Sequence, residues 1–153
     1  MSTTDNNEPI YNWTYRHGVD EKRRLQIPAK WRPASPEVRF TLIPWPKGVQ
    51  KEAFLAVFPP PVMNDLVQKL KAMPYSDSKA QALRRLLGGK SDTVVLDKVG
   101  RICLPEAMAK AAGIEAEAVL VGSVDRFEIW SPERHAAASE QDDSLSSEAF
   151  NLI

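Results

Sequence analysis

Between residues 11 and 19, aromatic and β-branched side chains alternate with polar ones, a period of two that predicts a strand. A turn over residues 20–23 leads into a second apolar run, RLQI, which Pro28 ends because proline has no N–H to give a neighbouring strand. Proline is tolerated at the first position of a helix, so PAKWR predicts one helical turn closed by Pro33. VRFTLIPW and AFLAVF predict two further strands joined by a turn with Pro46, Lys47 and Gly48. The period then changes: in PVMNDLVQKLKAM, Val62, Met63, Leu66, Val67, Leu70 and Met73 share one helical face and Lys69 and Lys71 lie outside it. SDSKAQALRRLLGG repeats this with Ala80, Leu83, Leu86 and Leu87, opens on capping-type Ser and Asp, and is expected to close on Gly88 and Gly89.

After this second helix the opening order returns. Strand DTVVLD, a turn, strand RICL, a helix PEAMAKAAG stopped at Gly113, strand AEAVLVG, a turn at Asp125, strand FEIW and a helix start at SPERHAAA follow in sequence. VDEKRRLQIPAKWR and LDKVGRICLPEAMA share a template in which Asp20 aligns with Asp97, Arg24 with Arg101, Ile27 with Leu104 and Pro28 with Pro105. FLAVFPPPV and FEIWSPERH align likewise, Phe54 with Phe127. The repeat is too long for a solenoid unit and reads as one duplication. The expected fold class is mainly β with short helices (α+β), two similar halves pairing about a pseudo-twofold axis as a homodimer would. The expected boundaries are a disordered extension over residues 1–10, a first half over 11–75, a connecting helix over 76–90, a second half over 91–138 and an acidic tail over 139–153.

Composition narrows the function. The 153 residues are 43% hydrophobic and carry a formal net charge of +0, so no global charge argues for a polyanionic partner. The distribution differs from the average: Arg16, Lys22, Arg23, Arg24, Lys30 and Arg32 crowd one segment, opposed by Asp20 and Glu21, while SEQDDSLSSEAFNLI is acidic. No run approaches the ~20 apolar residues of a membrane span and the opening lacks the order of a signal peptide, so a cytoplasmic protein with no membrane partner is expected. The single cysteine, Cys103, sits in an apolar run and is expected to be a buried thiol. His17 and His135 are the only histidines, too few ligands for a metal site, and no cofactor or catalytic residue is expected. LGGKSD lacks the first glycine of a phosphate-binding loop and ends a helix rather than opening one.

The repeated motif carries the candidate chemistry. Arginine presents a planar fork suited to phosphate oxygens or to guanine O6 and N7, and arginines on a strand–turn–strand element are a known way of reading DNA. Aspartate is not a phosphate ligand; it can orient the arginine, cap the turn or accept from cytosine N4. The simpler reading is that each pair only pins its turn, an ion pair of roughly 0 to 1 kcal/mol.

DEKRRLQIPAKWR, DKVGRICLPEAM and VLVGSVDRFEIWSPE together resemble the MraZ family of bacterial transcriptional regulators, tandem members of the AbrB-like swapped-hairpin superfamily, over residues 11–138. The resemblance implies a double-split β-barrel built from two AbrB-like halves, a ring-shaped homo-oligomer, association with the nucleoid, and binding to double-stranded DNA at short direct repeats upstream of cell-division and cell-wall genes. It places the DNA contacts on Asp20 and Arg24 and on Asp97 and Arg101. The family's glycine before the motif arginine is kept as Gly100 and replaced by Arg23 in the first copy. A turn that needs positive φ would strain Arg23; otherwise Arg23 adds a phosphate contact.

Lys22, Arg23 and Lys98 extend the candidate DNA face, with Lys30 and Arg32 as further cations or a solvated rim. Arg84 and Arg85 are expected on the wet side of their helix, and Trp31, Trp45, Phe58 and Trp130 in the core or a subunit contact. The alternatives are a scaffold ring that has lost DNA binding and an antitoxin-like relative that binds a toxin through its acidic tail.

Overall fold

A computed structural model describes residues 9–153, so all but two residues of the expected disordered extension lie outside it. The chain is a mixed α+β structure with eight strands and four α-helices among the described residues. In order these are β1 (Thr14–Gly18), β2 (Arg24–Gln26), a 3-10 turn (Ala29–Trp31), β3 (Phe40–Lys47), β4 (Gln50–Phe58), α1 (Pro60–Ala72) and α2 (Ser78–Lys90). The second half supplies β5 (Asp92–Val94), β6 (Arg101–Cys103), α3 (Glu106–Ala111), β7 (Glu117–Gly122), β8 (Phe127–Trp130) and α4 (Pro132–Phe150).

The halves interlock by exchanging their first strands. In the six-stranded antiparallel sheet, ordered β1-β7-β8-β4-β3-β5, β1 of the first half edges the β7–β8 hairpin of the second, and β5 of the second edges the β3–β4 hairpin of the first. A separate ribbon pairs β2 with β6 across the halves. Leu25 faces Ile102 in this ribbon, and Leu55 faces Ile129 next to Ala56 facing Glu128 where β4 meets β8. Leu25 thus meets its cognate directly, while at β4–β8 the pairs Leu55–Ile129 and Ala56–Glu128 exchange under the repeat, as a pseudo-twofold relation between the halves requires. The sheet stays open rather than closing into a barrel.

Alternation along each strand divides the core. Leu55 and Val57 of β4 and Phe127 and Ile129 of β8 face the ribbon, where Leu25, Ile27, Trp31, Ile102, Leu104 and Met108 complete one cluster. Phe54, Phe58 and Trp130 face the opposite side and meet Val62, Leu66, Leu87 and Ala138 from α1, α2 and α4. The indole of Trp130 stacks on Phe54 with ring centroids 4.4 Å apart.

Local chemistry explains most boundaries. Asp77 caps α2 by accepting from the N–H of Lys79 and Ala80. Gly113, at φ +73, ends α3: its N–H bonds Lys110 O while the N–H of Ile114 bonds Ala109 O, a closing pattern that needs a left-handed residue. Ser131 and Pro132 open α4, which runs on through the acidic residues to Phe150. Three expectations are corrected. α2 does not close on Gly88 and Gly89 but carries them as helical residues to Lys90. Pro46 lies within β3 at a register shift and the turn falls after it, at Gly48. Cys103 is exposed, because it follows Ile102 on a strand whose inward position Ile102 takes.

Candidate nucleic-acid interface

Each repeated turn is organised around its aspartate. In the first, Asp20 Oδ1 accepts from the backbone N–H of Lys22 at 3.0 Å and of Arg24 at 2.8 Å, and Oδ2 accepts from Arg24 Nε at 2.7 Å. The second repeats this: Asp97 Oδ1 accepts from Val99 N at 3.0 Å and Arg101 N at 2.9 Å, and Oδ2 from Arg101 Nε at 2.9 Å. The aspartate therefore caps the turn and orients the arginine at once. Hydrogen bonds from the backbone N–H of Arg24, joined by its guanidinium and Lys22 N–H, hold the Asp20 carboxyl below its ordinary value of 3.8 against the opposing effect of burial. Arg101 and Val99 do the same for Asp97.

The ribbon brings both arginines to one surface. Leu25 and Ile102 point inward and are fully buried, so strand alternation sends Arg24, Gln26, Arg101 and Cys103 outward. Arg24 lies opposite Cys103 and Arg101 opposite Gln26, which makes the arginines diagonal neighbours with Cα atoms roughly 7–8 Å apart. Their Nε atoms are engaged by aspartate; among the described residues their terminal nitrogens have no protein hydrogen-bond acceptor. Lys22 and Lys98 are exposed on the two turns.

Arg23 occupies the left-handed region at φ +61, matching Gly100 at φ +85. The first turn therefore keeps the geometry that glycine serves in the second, and the loop is not reshaped: Arg23 N–H bonds Asp20 O at 2.8 Å as Gly100 N–H bonds Asp97 O at 3.0 Å. The Arg23 guanidinium folds back, Nε donating to Leu104 O at 2.9 Å. Arg32 also turns to the backbone, Nε donating to Ile27 O at 3.0 Å. Lys30 lies over the Tyr15 ring, 5.9 Å from its centroid. Arg84 packs over Tyr75, away from the ribbon.

Sequence reading overlooked Gln26 and Cys103. Gln26 Nε2 donates to Val99 O at 2.8 Å, bridging the first strand to the opposite turn. The signal was present: with Leu25 and Ile27 inward, position 26 must share a face with Arg24.

Comparison with known proteins adds a family. Residues 87–151 match the family described as "MraZ protein, putative antitoxin-like". The chain is 39% identical over 134 residues to the transcriptional regulator MraZ of Symbiobacterium thermophilum, covering 88% of this chain and 93% of that one. It is 37% identical over 140 residues to that of Desulfitobacterium hafniense, covering 91% and 94%. With that of Thermomicrobium roseum it shares 35% identity over 126 residues, covering 82% and 84%.

Proposed function

The chain belongs to the MraZ family, and from that premise we propose that it is a sequence-specific, DNA-binding transcriptional regulator of the cytoplasm and nucleoid, acting on cell-division and cell-wall genes. The observation that carries the reading is the ribbon face: Arg24 and Arg101 side by side, each gripped through Nε by its own aspartate with the outer fork open. The major groove of B-DNA, ~12 Å wide, admits a two-stranded ribbon, and an arginine fork matches guanine O6 and N7. A separation of roughly 7–8 Å between the arginines corresponds to about two base-pair steps of ~3.4 Å. Asp20 and Asp97 orient the readers, Lys22 and Lys98 meet flanking phosphates, and Arg23 borders the face.

One ribbon is a small contact set for a chain without net charge, and a ring of chains on direct repeats multiplies it: avidity adds about 10² to 10⁴ when spacing fits. Two surfaces support assembly. Trp13 and Val124, exposed apolar residues at φ +78 and +70, lie just before β1 and just after β7 at one end of the sheet. At the opposite end, Pro44, Trp45, Leu83 and Leu86 line a cavity of ≈ 310 Å³. A knob at one end and a groove at the other make a head-to-tail contact, the kind that closes into rings. In this reading the strand-exchanged halves are one unit of a double-split barrel. Trp13→Ser is expected to shift sedimentation velocity from a large ring to smaller species; an unchanged ring would remove this contact from the account.

The function is tested by fluorescence anisotropy with a duplex carrying the repeats from the chain's own promoter region against a scrambled duplex. Preference for the repeats is expected. Equal, weak binding to both would instead favour a scaffold of the same fold that has lost DNA recognition.

A further inference from the structure

Arg23 and Arg32, both of the first half, bond to cognate carbonyls, Arg23 across to the second half and Arg32 within its own segment. Ile27 and Leu104 are cognate residues, each the aliphatic before the motif proline, and each ends its strand of the ribbon with its N–H bonded across to the opposite turn: Ile27 N to Gly100 O at 2.9 Å, Leu104 N to Arg23 O at 2.8 Å. Their carbonyls each receive an arginine Nε, Ile27 O from Arg32 at 3.0 Å and Leu104 O from Arg23 at 2.9 Å. The donors are not cognate. Arg32 follows Arg24 by eight residues, and the residue in that place after Arg101 is Ala109, a buried alanine with no donor to offer. Arg23 stands instead where the second turn has Gly100.

The space around Gly100 shows what sets the two arrangements apart. A Cβ at Gly100 would come within 2.5 Å of Arg32 Nε and Cζ, so the Arg32 guanidinium occupies the room a side chain would need. A side chain at the turn covered from position 32 would therefore displace the Arg32 guanidinium, and glycine leaves it in place. A turn whose cover is alanine is free to carry arginine, provided that arginine tolerates φ +61.

We infer that Arg23 and Arg32 are positioning residues of the two DNA-contacting turns, Arg23 by bonding from the first turn to Leu104 O of the facing strand and Arg32 by holding Ile27 O while its guanidinium packs over Gly100 of the second turn, and that the first turn has moved its lock from the cover position to the turn itself. This rests on the DNA-contact reading of Arg24 and Arg101. Arg23 borders the DNA face, yet its Nε serves the backbone, and the basic residues of this segment separate into readers and locks.

The test compares the full-length parent with Arg23→Gly and Arg32→Met. Arg32→Met keeps an apolar stem over Gly100 and removes the donor. Amide hydrogen exchange reports the locks without DNA: faster exchange is expected at Ile27, Gly100 and Arg101 in Arg32→Met and at Leu104 in Arg23→Gly. Titration of the repeat-bearing duplex at several salt concentrations separates positioning from contact. Each variant is expected to bind about three- to tenfold more weakly, the scale of one hydrogen bond, with the log–log salt slope unchanged. A slope reduced by about 0.9 per substitution would make these arginines phosphate ligands and overturn the inference. Parental exchange in both variants would also overturn it. Altered exchange in a protein that prefers no duplex would keep the locks and sink the DNA reading.

Discussion

At the scale of single residues, the aspartates do more than pair with an arginine. Asp20 and Asp97 each accept two backbone N–H groups besides the guanidinium, so ionisation and turn geometry are linked. Both carboxyls titrate below their ordinary value of 3.8 in the folded chain. The sign follows: their stabilisation is present above that value and is lost as pH falls through it towards the depressed folded value. Thermal melts between pH 6 and pH 3 are expected to show Tm falling with acid, and Asp20→Asn/Asp97→Asn to flatten the fall. Part of the slope should remain, because Glu117 and Asp125 are depressed by Arg16 and Arg126 in the same sense. A parental slope in the double variant would show that these carboxylates are not linked to folding. The Asp–Arg pairing was legible from spacing alone. The Arg23 contact was not, because a left-handed arginine can be recognised only where its turn is superimposed on one that has glycine.

At the scale of elements, period carried most of the reading. The alternating run became β1, the apolar runs bounded by proline and turn residues became β3, β4, β7 and β8, and Val62, Met63, Leu66 and Leu70 of α1 and Leu87 of α2 pack on the sheet, whereas Leu83 and Leu86 of the expected α2 face are exposed. The end of α2 was misread for a physical reason: glycine stops a helix only when it adopts the left-handed region, and Gly88 and Gly89 do not. Held in helical geometry, each costs about 0.5–1 kcal/mol relative to alanine. A Cβ at either position meets no atom within 4 Å. Gly88→Ala and Gly89→Ala are therefore each expected to raise unfolding free energy by about 0.5–1 kcal/mol in urea titrations. Destabilisation by either would mean that the site is needed for close approach, as at a subunit contact. Cys103 was misplaced because an apolar neighbourhood in sequence is not a shared face in a strand; its cognate, Gln26, points the same way.

At the scale of the whole molecule, duplication is visible in sequence but strand exchange is not. Nothing in VDEKRRLQIPAKWR says that β1 will pair with β7 of the other half, since a strand's pattern specifies a face rather than a partner. The exchange has a functional consequence: it sets β2 against β6 and so places Arg24 and Arg101 on one ribbon from two distant turns. In a chain of zero net charge the two arginines thereby come onto one ribbon, each paired with its own aspartate. The measurement that tests this most directly is an anisotropy titration of the promoter-repeat duplex by the parent, Arg24→Ala and Arg101→Ala at several salt concentrations. The account predicts a loss of about 1–3 kcal/mol for each substitution, with reduced preference over a scrambled duplex. Parental affinity and preference in both variants would contradict it.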